Sequence, residues 1–562
     1  MIVTRIFREF NSEKVEQVRT HPYYAELRRT TIDKADFFIE NDPPVIKFSK
    51  IHLYVTTGNR EKFQSDYTNY EDRLTTYALA YIITEDDKYL DPLADIIWNI
   101  CDFESWSIPA HVNESLSTER RRRNLDLCSC IMGYRISEIV YLLGDKLPEL
   151  VVRRARDEVR YRVTESFAIY TDKEFSWYNK IDNWSAVCIA GVLCSYLYTS
   201  TDEEINAQLP RMQAIAENYL KGFMEDGCCT EGYGYWIYGF SFFCLFAKML
   251  YDYTDGSINY FADEKVHKIA MFQQNILMNS HECISFSDGD LKFEPRIWLS
   301  HFLKGMYPDM QLPALPEYFK ETVGNTRLRF VFASNPDIKT SVLKPVSHIF
   351  NNAEWFLYHG QGYALAAKAG HNQEFHNHND VGSFIISKNG RVTFCDPGAG
   401  EYTADYFSPR RYEIFLPSAR AHSVPIINGE YQVVGKREGG VITAEEKRFV
   451  FRMDNGYVID TLKSLVRDFE CLDDGVRMTD TYELSQTPSS VRERFVSLLP
   501  ITLTDGKVYC GDSVMSYDND AFDAVVSEEQ VPRKGGRTDT VYYVDLIAKK
   551  LDKNMTFTFT IN

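Results

Sequence analysis

The feature that most constrains this chain is a change of hydrophobic period partway along it. From about residue 70 to 305, apolar residues recur at three- and four-residue spacing, the pattern of amphipathic helices. The spacing predicts helices over 71–85, 88–102, 124–143, 148–163, 183–199, 204–225, 240–254 and 263–279, separated by short polar breaks. From about 340 to the end, apolar residues alternate in β-branched runs, with turn signals at Asn389-Gly390, Asn455-Gly456 and Asp474-Gly475. Between the halves, 307–325 carries Pro308, Pro313 and Pro316, a boundary signal. At 562 residues the chain is too long for one ordinary core. It reads as a multidomain α+β protein: a helical domain over 1–325, an antiparallel β-sandwich over 326–562, and a cleft between them. Consecutive helices of similar length suggest a bundle, a solenoid or a closed α/α toroid. The lack of a fixed-period repeat weakens the regular solenoid. Residues 1–60 are mixed and polar and show no clear period.

The densest chemistry lies in GHNQEFHNHNDVGSFIISKNGRVTFCD, residues 370–396, which holds His371, His376 and His378 in a chain with only 12 His. In an extended segment, His376, His378 and Asp380 point to one side, and Asn377 and Asn379 to the other. A single His is usually a satisfied structural residue. Two at i, i+2 beside an Asp, leading into a hairpin, more often mark a site. Asp396 ends the following strand, and His422 precedes the strand SVPII. Two imidazoles and a carboxylate from His378, Asp396 and His422 make a donor set suited to Zn²⁺, with Mn²⁺ the second choice. Their spacing fits no compact metal motif.

The helical half contributes WYNKIDNWSA (177–186) and DGCCTEGYGYWIYGFSFF (226–243). Asp182-Asn183 suits a helix N-cap, a structural role sufficient to explain an Asn. Glycines 227, 232, 234 and 239 among Tyr233, Tyr235, Trp236 and Tyr238 suit a loop displaying aromatic rings along a cleft better than a helix interior. Any one tyrosine is more often packing than catalysis; the cluster favours a ligand surface. Aromatic residues make up 14% of the chain, which suits sugar binding, since Tyr and Trp offer apolar faces with polar edges.

A formal charge of −18 argues against nucleic-acid binding, which needs a basic footprint, but allows a local basic cleft for a polyanion. Arg410, Arg411 and Arg420, then Lys436 and Arg437, are the cations close in sequence to the His cluster. The 12 Cys form no CxxC pair and read as reduced core thiols. No uncharged apolar run is long enough to span a membrane and the N-terminus shows no signal region. The expectation is a cytoplasmic chain without a membrane partner, a monomer or homodimer, or a periplasmic or secreted one if a leader is removed.

EFHNHNDVGSFI with DPGAG, then SARAHSVPIINGEYQ, resembles the C-terminal half of the heparinase II/III-like polysaccharide lyases, and the upstream DNW and EGYGYW resemble that family's toroid motifs. The resemblance runs from about residue 80 to 562 and implies an N-terminal incomplete (α/α) toroid followed by a β-sandwich. It implies that Asn183 binds the uronate carboxylate, that Tyr235 and His376 are catalytic (with Tyr238 a competitor for Tyr235), and that His378, Asp396 and His422 hold the divalent metal some members have, in a mainly structural role. Trp184, Trp236, Tyr238, Asn377 and Arg411 are then the expected substrate contacts.

The chemistry needs such groups. β-Elimination of a 4-linked uronide removes a weakly acidic C5 proton, so an amide or cation must stabilise the developing enediolate, a base must take the proton, and an acid must protonate the leaving oxygen. Tyr235 can serve as both on one face of a glucuronate-type sugar; for an iduronate-type sugar, His376 is the base opposite a Tyr235 acid. The expected function is thus a lyase on uronate-containing poly- or oligosaccharides, glycosaminoglycans foremost. The alternatives are a glycoside hydrolase on the same scaffold, with carboxylates at Asp226, Glu231 or Asp288, and a non-catalytic carbohydrate-binding protein.

Overall fold

The computed structural model describes residues 6–313, 315–320, 328–338, 344–403, 405–437 and 439–562. The chain is an N-terminal α/α toroid followed by antiparallel sheets in a sandwich: the order of helices and strands follows its change of period, and the toroid is the one of the three helical arrangements that the resemblance implies. The expected boundary at 325/326 lies outside the described residues.

Helices occupy Glu61–Thr84, Leu90–Cys101, Leu127–Leu143, Glu149–Val159, Asn183–Thr199, Asp202–Leu220, Tyr233–Tyr253 and Glu264–Asn275, matching the eight predicted elements in order. Local signals set several starts. Asp126 and Ser129 form a reciprocal capping box, as do Thr201 and Glu204, and the Asp182 carboxylate accepts from Trp184 N at 3.0 Å. The helices Leu127–Leu143, Asn183–Thr199 and Tyr233–Tyr253 are buried over most of their length, forming the inner layer of the toroid. The described part of the segment 1–60, residues 6–60, also carries helices, at Ser12–Thr20, Ala25–Glu40 and Phe48–Thr57. Its period is faint because Ser12–Thr20 buries only Val18 and Phe48–Thr57 buries nothing. The helix Leu328–Ala333 packs back onto the toroid, where Phe330 stacks on Trp298 at 3.7 Å. No described helix is long and apolar enough to cross a membrane, and all 12 cysteines are free thiols.

The first sheet joins the two domains. Its strands β1 (His348–Phe350), β2 (Trp355–His359), β3 (Tyr363–Lys368), β4 (Phe384–Lys388) and β5 (Arg391–Phe394) pair antiparallel in chain order. Period-2 alternation sends Trp355, Leu357, Ala364 and Ala366 into the toroid core and Phe356, Tyr358, Leu365 and Ala367 into the sandwich core. With both faces covered, every residue of β3 is buried. Asn389 and Gly390, at φ +51° and +81°, close the β4–β5 hairpin, the left-handed pair that a two-residue turn requires. The remaining strands form an eight-stranded and a four-stranded antiparallel sheet. The latter contains the long hairpin Phe522–Arg533 and Arg537–Ala548.

Candidate active site

The site sits where three glycines let three distant segments touch. A Cβ on Gly232 would lie 2.8 Å from Gly289 Cα, and one on Gly398 would lie 2.2 Å from the Gly289 carbonyl oxygen. Gly232 and Gly398 also hold φ +97° and +68°, which other residues adopt at a cost. Ala399 N donates to Gly289 O at 3.2 Å, and Ser285 Oγ to Asp396 O at 2.7 Å. The start of the helix Tyr233–Tyr253, the loop bearing Asp288 and the loop after β5 are thereby locked together.

That helix corrects one expectation. Tyr235 and Tyr238 lie on its first turns and not on a loop. Burial of Trp236, Phe240 and Phe243 outweighs the roughly 1 kcal/mol each interior glycine costs. Gly239 is needed where it stands: a Cβ there would meet Tyr219 Oη at 2.6 Å and Asn183 Cβ at 3.1 Å. The close approach sets Asn183, at the start of its own helix, beside the turn that carries Tyr235.

Asp288 is the centre of the site. Its Oδ2 accepts from His376 Nδ1 at 2.7 Å and Tyr402 Oη at 3.0 Å. Its Oδ1 accepts from His378 Nε2 at 3.0 Å, Tyr406 Oη at 2.6 Å and Arg411 Nη2 at 2.9 Å. Burial alone would raise its pKa, but donation from His376 and His378 and the Arg411 charge hold the carboxyl well below the usual range. It is therefore a fixed anion. The sequence reading considered Asp288 only as a hydrolase carboxylate, because SFSDGD looks like an ordinary turn.

His376 stacks on Tyr235 with ring centroids 4.2 Å apart and planes 28° apart. Tyr235 Oη and Tyr402 Oη are 2.8 Å apart. Since Tyr402 donates to Asp288, Tyr235 is the donor in this pair. Burial pushes the Tyr235 phenol above its ordinary pKa, so it is neutral near pH 7. The loop carrying His376 is not extended. His376 has φ +52°, and Glu374 N donates to Asn377 Oδ1 at 3.3 Å in a turn. The expected alternation therefore fails: His376 and His378 reach different oxygens of Asp288, while Asp380 turns away to the buried Lys368 ammonium at 2.8 Å. Lys368 also pairs with Glu374 at 3.0 Å, clamping the loop on either side of His376.

His378, Asp396 and His422 converge, each offering one ligand atom within 4.8 Å of the others. All three are fully buried. His378 uses Nε2 on Asp288, and His422 donates Nε2–H to Leu416 O at 3.0 Å, leaving each Nδ1 with a lone pair. His422 Nδ1 lies 3.0 Å from Asp396 Oδ2. Both atoms, with His378 Nδ1, lack a hydrogen-bond partner among the described residues. Three orphaned donors facing one point fit a divalent cation, and their outer bonds are those that orient metal-ligating histidines. A buried Arg467 braces this wall, donating to Gly382 O and Ser423 O at 2.7 Å each while pairing with Asp480.

Asn183, Tyr235, Tyr238 and Asp288 line a cleft of about 520 Å³, which Lys534 and Arg537 also line. Among the described residues the Asn183 amide has no side-chain partner. Other expected substrate contacts are corrected. Trp236 is 0% exposed and donates to Ile269 O, so it is core. Asn377 is buried, with its carbonyl bound by Arg411 Nε at 3.0 Å. Arg411 is committed to Asp288 and the carbonyls of His376, Asn377 and Tyr406. Trp184 is half-buried against His111 at 4.8 Å. Nor do the other expected cations line the cleft: Arg410 pairs with Glu413, Arg420 donates to Glu413 O, and Arg437 donates to Asn455 O. The cleft's cations are Lys292, on the loop after Asp288, and Arg533, Lys534 and Arg537 at a hairpin tip whose KGGR reads as an ordinary turn.

No family model matches the chain, and no curated protein matches it in sequence. Solved structures do match in fold. A heparinase III superposes with a TM-score of 0.66 at 14% identity, covering 99% of this chain and 86% of that one. The heparan sulfate lyase of Pedobacter heparinus gives 0.61 at 13%, covering 100% and 92%. The chondroitin AC lyase of Streptomyces coelicolor A3, in complex with chondroitin sulphate, gives 0.57 at 11%, covering 98% and 81%. At these identities the likeness is one of fold.

Proposed function

We propose that this chain is a polysaccharide lyase that cleaves uronate-containing glycans, glycosaminoglycans foremost, by β-elimination. The observation that carries the reading is the Tyr235–His376 stack, anchored on Asp288, whose members Tyr235 and Asp288 line one cleft with Asn183. Asp288 holds the His376 Nδ1 proton, which leaves Nε2 as the basic nitrogen. The Asn183 amide donates to the uronate carboxylate and stabilises the enediolate as charge develops there. His376 Nε2 takes the C5 proton, the C4–O bond breaks as the C4=C5 double bond forms, and the Tyr235 phenol gives its proton to the departing oxygen. Asp288 stabilises the resulting imidazolium, and proton return from His376 to Tyr235 restores the site. Stacked rings suit base and acid acting on one face of a glucuronate-type sugar, so His376 takes the base role expected there of Tyr235 and does not stand opposite it as an iduronate-type sugar would need.

A divalent metal, Zn²⁺ foremost, fits His378, Asp396 and His422; bound there it supplies a fixed positive charge that rigidifies the wall behind Asp288. The hydrolase alternative loses support because it needs two free carboxylates. Asp288 is saturated by donors, and Asp226 accepts from Asn352 N at 2.7 Å.

The test is formation of the unsaturated uronate product, followed by ultraviolet absorbance across hyaluronan, chondroitin sulfates, dermatan sulfate, heparin, heparan sulfate and alginate. A rising signal on any of these is expected. Cleavage without the chromophore would establish a hydrolase, and binding without cleavage a carbohydrate-binding protein.

A further inference from the structure

The cleft that Asn183 lines also holds Lys292, Arg533, Lys534 and Arg537, and nothing in the elimination chemistry uses them. The last three belong to the hairpin Phe522–Arg533 and Arg537–Ala548, whose register pairs Arg533 with Arg537 and leaves Lys534-Gly535-Gly536 as the loop. Gly535 and Gly536 take φ +78° and +73°, a turn that side chains resist. The tip brings Lys534 and Arg537 into the cleft lining, and the loop after Asp288 brings Lys292.

These three cations differ from their neighbour Arg533, which is committed to Asp539 at 2.9 Å and to the Ala399 carbonyl. Lys292 meets only Glu294, with both side chains more than 70% exposed, and such a surface pair is readily exchanged. Lys534 and Arg537 have no ion pair among the described residues. The Lys534 ammonium lies 3.5 Å from the centre of the Tyr402 ring, and Tyr402 is the hydrogen-bond partner of Tyr235. Lys534 thus stands one ring from the proton-transfer pair. The charges of Asp288 and Asp290 act on its ammonium. Asp288, Asp290 and Asp539 line the same cleft, but Asp288 and Asp539 are already paired with Arg411 and Arg533, so the remaining cations gain when an anion comes between them.

We propose that Lys292, Lys534 and Arg537 form a second anion subsite, which takes a sulfate ester or carboxylate on a sugar next to the reacting uronate. The sugar's identity rests on the lyase reading; the subsite itself rests on the cation cluster. It makes the chain a reader of substitution pattern: Asn183 engages the uronate common to all these glycans, and the hairpin tip engages the group that distinguishes them.

The test is calorimetric binding of size-matched oligosaccharides of one backbone, sulfated and desulfated, to full-length protein carrying Tyr235→Phe. The comparison protein carries Lys534→Ala and Arg537→Ala in addition; both sites are on an exposed tip where truncation spares the core. With sulfate as the ligand, the sulfated form binds about tenfold tighter than the desulfated one, and the added substitutions remove that preference. With carboxylate as the ligand, both forms bind alike and both weaken about tenfold in the comparison protein. Binding that the added substitutions leave unchanged, or no binding of either form, overturns the subsite. Product formation by the unsubstituted protein is read separately: subsite-dependent binding without unsaturated product would remove the lyase reading and leave the subsite standing.

Discussion

His376 donates its Nδ1 proton to Asp288 Oδ2 over 2.7 Å, and this one bond fixes which imidazole nitrogen is basic. Asp288→Asn offers His376 an amide that can also present a donor, scrambling the tautomer while preserving shape. The expected loss in kcat is about 10²–10⁴-fold with KM changed by less than about threefold, measured by unsaturated product formation. Asp288→Ala should in addition destabilise the fold by about 3–5 kcal/mol in chemical denaturation, because Arg411 is left buried without its carboxylate. A kcat unmoved by Asp288→Asn would remove His376 as the base.

Tyr235→Phe removes the acid while keeping the ring that stacks on His376. Turnover should fall about 10²–10⁴-fold while oligosaccharide binding, measured calorimetrically, persists. Equal loss of binding and turnover would make Tyr235 a substrate contact only.

Purified protein should carry about one equivalent of divalent metal by emission spectrometry, since the site has one set of three protein ligands. Chelation should lower the melting temperature, and His422→Ala should lower it without further change on chelation. Metal-free protein with an unchanged melting temperature would refute the site.

Glu231 predicts a pH dependence of stability. Burial raises its carboxyl to about 7, partly opposed by the His376 charge. In the unfolded chain it releases its proton near 4.3, so between that pH and 7 the unfolded state loses the proton first. Stability then falls as pH rises through this window and levels off above 7. Glu231→Gln should abolish this loss, so its stability advantage over the unsubstituted protein should grow from pH 5 to 7.5, by up to about 3 kcal/mol. An advantage independent of pH in thermal melts would contradict it.

The fold was legible because both domains advertise their period: long buried helices such as Asn183–Thr199, and alternating strands such as Asn554–Ile561, whose Met555, Phe557, Phe559 and Ile561 face the core. Legibility failed where tertiary contact overrides local preference. The glycines of 232–239 read as a loop, yet Gly239 is what lets two helices approach at Asn183. His376 and His378 read as one face of a strand, yet a left-handed residue redirects them to two oxygens of one carboxylate. Asp288, Tyr402 and the KGGR tip carry no local mark, since their meaning depends on partners far along the chain. His378, Asp396 and His422 were visible as residue types, but their convergence was not.

Gly232, Gly289 and Gly398 meet at one point, and they leave the ribosome in that order. Domains generally fold as they emerge, so the helical body can form while Asp288 still lacks every donor it binds in the finished protein, the last of which is Arg411. The bonds around Asp288 are therefore completed only when the sandwich docks, as a single late event of biosynthesis. A product truncated before β1 is a helical shell in which Asp288 has none of these donors.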